Sequence, residues 1–214
     1  MSTFQAGQKS ITLTSDILLH GTYVRQSNDL HIKNDVDSVV IKDYFEHTPL
    51  LTTPFGSTIT PDLVSALAIY DNAPLVAFSD PQAIGQITVS EGVVMTQRGN
   101  AQIELKQGDF IYLNDVVGSK SGDVGITFTD NTALSVEQGA RMVIDEYRYT
   151  PEGTNNTMNA NVLNGGFSFV SGDIAKGGDD VMTVTTPVLT IGVRGTQVAG
   201  RANTEGEENE IVLL

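Results

Sequence analysis

Apolar residues in this chain recur mostly at every second position, in short runs that end on Gly, Asn, Asp or Pro, and this period limits the fold more than any other feature. Side chains two apart share one face of a strand, so such runs build sheets with a buried face. From Ile17 the stretch ILLHGTYVRQSNDLHIKNDVDSVVIKDYF alternates between polar turns at Ser27-Asn28-Asp29 and Asn34-Asp35-Val36-Asp37, which predicts a β-meander. One interruption reads differently. Thr60-Pro61-Asp62 ahead of Leu63-Val64-Ser65-Ala66-Leu67 offers a capping hydroxyl followed by Pro at the first helical position, which predicts one short helix near 62–69. Pro74 and Pro81 fall in a stretch without a period, so we place a linker at 71–83 between an N-terminal β-rich unit, 1–70, and a larger β domain, 84–214.

After residue 83 the strand pattern restarts as GQITVSEGVVMTQRG, NAQIELKQGDFIYLNDVV and DVGITFTDNTALSVEQGARMVIDEYRY. Turn signals about every eight to twelve residues fit a β-sandwich or β-roll. Asn164-Gly165 predicts a hairpin, because both central residues of a type I′ turn need positive φ. The fold class is therefore all-β. The apolar run Ile211-Val212-Leu213-Leu214 has no polar cap, so the natural protein is expected to continue past Leu214.

Charge and composition remove several functions. The 214 residues carry 12 Lys+Arg against 26 Asp+Glu, a net charge of -14, which disfavours nucleic acid and anionic membrane surfaces as partners. Cysteine is absent, so disulfides, thiolate zinc sites and thiol nucleophiles are excluded. The segment Met1 to Ala6 has no signal-peptide character and no run is long enough to span a membrane, so direct membrane insertion is not expected. Export would need a C-terminal signal. His20, His31 and His47 all lie in the first unit; His20 and His31 fall on neighbouring predicted strands, but no third ligand has a readable spacing. With no G-x-S-x-G and no G-x-G-x-x-G opening a helix, no catalytic constellation is legible and the chain is not expected to be an enzyme.

The remaining motifs read mainly as structure. Gly108-Asp109 and Gly122-Asp123 are predicted turns, with Gly supplying positive φ and Asp accepting from a nearby amide. No cofactor is expected beyond a weak calcium site at Asp173, Asp179 and Asp180, which lack an EF-hand or β-roll spacing. The tail carboxylates Glu205, Glu207, Glu208 and Glu210 read as a solvated run. Arg194 is predicted to be buried, since apolar residues flank it and Gly192 and Gly195 leave room for a guanidinium, which would then need a bidentate partner.

From about Ile84 onward the chain resembles the FecR-type domain. The residues that carry this are Gly85-Gln86-Ile87, Gly108-Asp109-Phe110-Ile111, Asp115-Val116-Val117, Gly125-Ile126-Thr127-Phe128-Thr129-Asp130 and Ala140-Arg141-Met142-Val143-Ile144-Asp145. They continue through Gly166 to Gly172 and Thr186-Pro187-Val188-Leu189-Thr190-Ile191-Gly192-Val193-Arg194-Gly195-Thr196. FecR-type regulators relay receptor occupancy to a sigma factor and carry a helical segment and a membrane span ahead of the domain. Here the preceding residues are β-rich. That leading segment, with GTYVRQSNDLHIKN, VVIKDYF and GSTITPDLV, is similar to the N-terminal part of large, type I-secreted, repeat-containing adhesins. That argues against the regulator, so the expected role is the one the second resemblance implies: a module that retains an exported surface protein at the bacterial cell envelope, with an envelope protein or the secretion machinery as partner and self-association through edge strands left open. A periplasmic sensor or regulator, implied by the first resemblance, is the alternative.

Overall fold

The computed structural model describes residues 2–70, 82–195, 197–203 and 209–213. The expected linker falls largely outside the described residues, at 71–81, as do Thr196, Glu205, Glu207, Glu208 and Leu214. Strands hold 53% of the chain and helices 11%, so the protein is all-β. Its described residues form two compact units, 2–70 and 82–203 with 209–213.

The first unit runs β1 (Ser2–Gln5), β2 (Ser10–Thr12), α1 (Ser15–His20), β3 (Thr22–Gln26), β4 (Asp29–Lys33), β5 (Ser38–Lys42), α2 (Tyr44–His47), β6 (Leu50–Thr52), β7 (Thr58–Ile59), α3 (Pro61–Leu67) and β8 (Ala68–Tyr70). The predicted meander is β3-β4-β5, all antiparallel, and it is widened by β1 parallel to β5 and β8 parallel to β3. Its turns close where expected: Ser27 takes φ 55°, and the Asn34 side chain accepts from the amides of Val36 at 3.0 Å and Asp37 at 2.7 Å. Helix α3 is the expected helix, capped by the Thr60 hydroxyl accepting from Leu63 N–H at 3.3 Å with Pro61 at its start. Two shorter helices join it. One corrects the sequence reading: His20 ends α1 instead of lying on a strand beside His31, because Ile17, Leu18 and Leu19 are all buried on a helical turn that alternation disguised. Strands β2, β6 and β7 form a separate small sheet.

The second unit contains β9 (Gly85–Ser90), β10 (Val93–Arg98), β11 (Ala101–Leu105), β12 (Phe110–Ile111), β13 (Val116–Ser121), β14 (Val124–Phe128), β15 (Ala133–Val136), β16 (Arg141–Arg148), β17 (Thr157–Val170), β18 (Met182–Thr185), β19 (Thr190–Gly192), β20 (Gln197–Ala202) and β21 (Glu210–Leu213). These 13 strands make one continuous sheet with two arms. The first half of β17 pairs with β16 and β18, and its second half with β15 and β20. Side chains of both arms share one core, in which Val94, Met142 and Val184 from one arm join Ile87, Val136 and Val198 from the other.

The change of arm occurs at Asn164-Gly165, where a hairpin was expected. No turn forms there. The pairing slips by one residue, from Met142 opposite Val162 to Arg141 opposite Asn164, and Gly165 takes φ 93°. This is a bulge. Its effect shows in which side chains face the core: Met158, Ala160 and Val162 before it, Phe167 and Phe169 after it, so the inward parity flips as the strand passes between arms.

Candidate functional site

Asp115 and Asp130 are the buried carboxylates of the second unit among the described residues. Burying a charge is costly unless it is paired and hydrogen-bonded, so their partners indicate what they are for. Arg98, at the end of β10, grips Asp115 with two bonds, Nε to Oδ1 at 2.8 Å and Nη2 to Oδ2 at 2.7 Å, while the Tyr112 amide donates to Oδ2 at 3.0 Å. The same guanidinium donates to the Phe110 carbonyl at 3.1 Å and lies 4.2 Å from the Tyr112 ring centroid. Its hydrogen bonds to Asp115 raise the Arg98 pKa above that of an ordinary arginine. The clamp ties the hairpin strand β10 to the chain entering β13.

The bidentate arginine expected at Arg194 thus exists, but at Arg98. Arg194 is exposed, with 68% of its side chain accessible, and pairs with Asp179, itself 76% accessible. Strand β19 ends at Gly192, so the alternation that suggested burial stops before Arg194 is reached. An exposed pair of this kind contributes little. Arg194→Ala is therefore expected to change the unfolding free energy by about 1 kcal/mol or less, read by urea denaturation. The residues around it hold a tight turn: the Thr186 hydroxyl both accepts from Leu189 N–H and donates to its carbonyl, each at 3.3 Å, and Pro187 is buried beside it. Gly192 lies under Asp180, where an added Cβ would come 2.9 Å from Oδ1, and Gly195 takes φ 59° in open space. Gly108, at φ 96°, and Asp109, whose carboxylate accepts from Lys106 N–H at 2.7 Å, form a turn.

Asp130 gathers the ends of three segments. Its carboxylate accepts from the Thr132 hydroxyl at 2.7 Å, the Thr132 amide at 3.2 Å, the Ile174 amide at 3.3 Å and the Tyr147 hydroxyl at 3.3 Å. Burial, with the Asp130 charge alongside, pushes the Tyr147 phenol up to about 12. Next to this knot Asp173 bonds Lys176 at 2.7 Å, Asn131 at 3.1 Å and Tyr149 at 3.2 Å, and the Lys176 bond leads in holding its carboxyl below the usual range. The calcium candidates are not brought together: Asp173 serves this network, Asp179 serves Arg194, and no group of three potential ligands converges among the described residues.

Asp145 differs from these acids. It sits at a second register slip, between Ile144 and Glu146, and burial raises its pKa even though Asn159 donates to it at 2.9 Å. Its folded pKa lies above its unfolded value of 3.8, so its contribution to stability is fully present below 3.8 and is lost as pH rises through the folded value. Asp145→Asn is therefore expected to raise the melting temperature at pH 7, and the gain should vanish when melts are repeated below the unfolded value.

Tyr147 and Tyr149 line a groove of about 470 Å³ together with Gln82, Leu113, Thr129 and Arg148. Phe128 stacks on Tyr147 at 5.9 Å between centroids. The sequence analysis missed these tyrosines, Arg98 and Asp130. The tyrosines carried a signal, since they stand two residues apart, Tyr147 within β16 and Tyr149 just past its end. Arg98 carried none, since its partner is 17 residues away, beyond both β11 and β12.

The buried acids of the second unit are thus taken up by structural donors within a two-armed sheet. A family model described as FecR protein matches residues 114–214, the part from Asn114 through β21, while the stretch from Ile84 to Leu113 lies ahead of the match. No curated protein and no solved structure matches the chain. No helix among the described residues is long and apolar enough to cross a membrane.

Proposed function

We propose that this chain is a non-catalytic, protein-docking module of the FecR type that works at the bacterial cell envelope, in the class that regulates sigma-factor signalling. The observation that carries the reading is the FecR match over residues 114–214, which spans both arms of the sheet. Supporting it, the two buried carboxylates of that unit among the described residues hold the fold, Asp115 through Arg98 and Asp130 through its knot of donors. The test is to delete residues 82–214 from the encoded product and follow sigma-dependent transcription on induction. Loss of the response supports the reading.

Retention of a large adhesin-like exported protein is the second reading, favoured by the compact β-rich unit at 2–70 in place of the helical segment that precedes FecR-type domains in regulators. Transcription that is unchanged by the deletion, with release of the protein into the medium, would favour it instead.

A further inference from the structure

Strand β16 is paired on both sides only along part of its length. Against β13 it pairs at Arg141, Met142 and Val143, and the last bond on that side runs from Asn114 N–H to the Ile144 carbonyl at 2.9 Å. After the slip at Asp145 the strand continues through Glu146, Tyr147 and Arg148, opposite Asn159, Met158 and Thr157 of β17. On the other side, among the described residues, no backbone partner reaches these three. In a pleated strand alternate residues point their N–H and C=O groups to opposite sides, so among the described residues this stretch presents ladder groups without a strand partner. Open edges of this kind are templates for a further strand.

The groove described above lies at this edge, with Leu113, 43% exposed, as an apolar wall. The tyrosines stand two residues apart, about 7 Å, which is the same-face repeat of an extended peptide. Both are fixed before any ligand arrives: the Tyr147 hydroxyl lies 2.7 Å from Thr129 Oγ1, and the Tyr149 hydroxyl bonds Asp173. Arg148, in a chain of net charge -14, lines the groove and makes no ion pair among the described residues.

We propose that the edge of β16 at Glu146–Arg148 captures an extended, acidic segment of a partner protein by strand addition, with Tyr147, Tyr149 and Leu113 receiving its side chains and Arg148 its carboxylate. The proposal rests on the protein-docking reading and locates its contact surface.

The probe is the capped pentapeptide Thr-Val-Glu-Val-Thr, titrated into the whole 214-residue chain and followed by amide chemical shifts. Saturable shifts centred on Glu146–Arg148 and Leu113 are expected. Arg148→Glu should weaken binding about tenfold, and the same peptide with lysine at its centre should then bind the variant better than the original chain. Leu113→Glu, at an exposed position, should also weaken the acidic peptide without changing the melting temperature. Absence of saturable shifts, shifts unaffected by Arg148→Glu, or tighter binding of an oligouronide at the same amides would each overturn the proposal. A negative titration beside a positive deletion phenotype would place the docking surface elsewhere and leave the functional reading standing.

Discussion

Arg98→Ala is expected to destabilise the second unit by about 3–5 kcal/mol, the loss that follows when one partner of a buried ion pair is removed. Asp115 is only 1% accessible in its side chain while Arg98 covers it, and without the guanidinium the Tyr112 amide is the donor left to its carboxylate among those described above. The loss includes more than the pair, because Arg98 also supplies the Phe110 carbonyl and covers the Tyr112 ring. Arg98→Lys should recover only part of it, since an ammonium cannot bond both oxygens in a planar fork while reaching Phe110. Urea denaturation of the three proteins measures this. Equal midpoints for Arg98→Ala and the unaltered chain would show that Asp115 finds another partner.

Gly165→Val is expected to cost about 2–5 kcal/mol, from two sources that can be separated. A side chain at φ 93° is disfavoured by about 1–2 kcal/mol. An added Cβ would also stand 2.5 Å from both Cα and Cβ of Ala140, so the crossing chain must move, at about 1–3 kcal/mol. Gly139 isolates the first source. It takes φ 80° with nothing within 4 Å of an added Cβ, so Gly139→Ala should show the conformational cost of about 1 kcal/mol alone. Comparable losses for the two variants would mean that the bulge relaxes freely.

The two glycines also show where sequence reading stops. A positive φ at an Asn-Gly pair has the same signature whether the chain reverses or merely shifts its pleat. What separates the cases is parity: apolar residues at Met158, Ala160 and Val162 and again at Phe167 and Phe169 remain in one strand, but on alternations that differ by one. The meander of the first unit and α3 were legible because their signals are local, as with the Asn34 side chain and the Thr60 cap. The bidentate arginine was assigned to the wrong place for the opposite reason. The pairing of Arg98 depends on β13, β12 and the Tyr112 ring, none of which is near it in sequence, whereas the apolar neighbours of Arg194 belong to a strand that ends before it. The Tyr147 and Tyr149 pair was not read from the sequence, because its setting depends on β13 pairing with only the first part of β16 among the described residues.

Because both arms of the second unit are sewn to the single strand β17, neither can come apart and leave the other whole. Peeling β16 or β18 strips one end of that strand, peeling β15 or β20 strips the other, and either exposes the core they share. The unit should therefore lack partly open states of intermediate free energy, and the amide hydrogens at the centre of β17 should exchange with solvent only when the entire unit unfolds. Such a unit would resist proteases and pulling forces up to a threshold and then yield all at once.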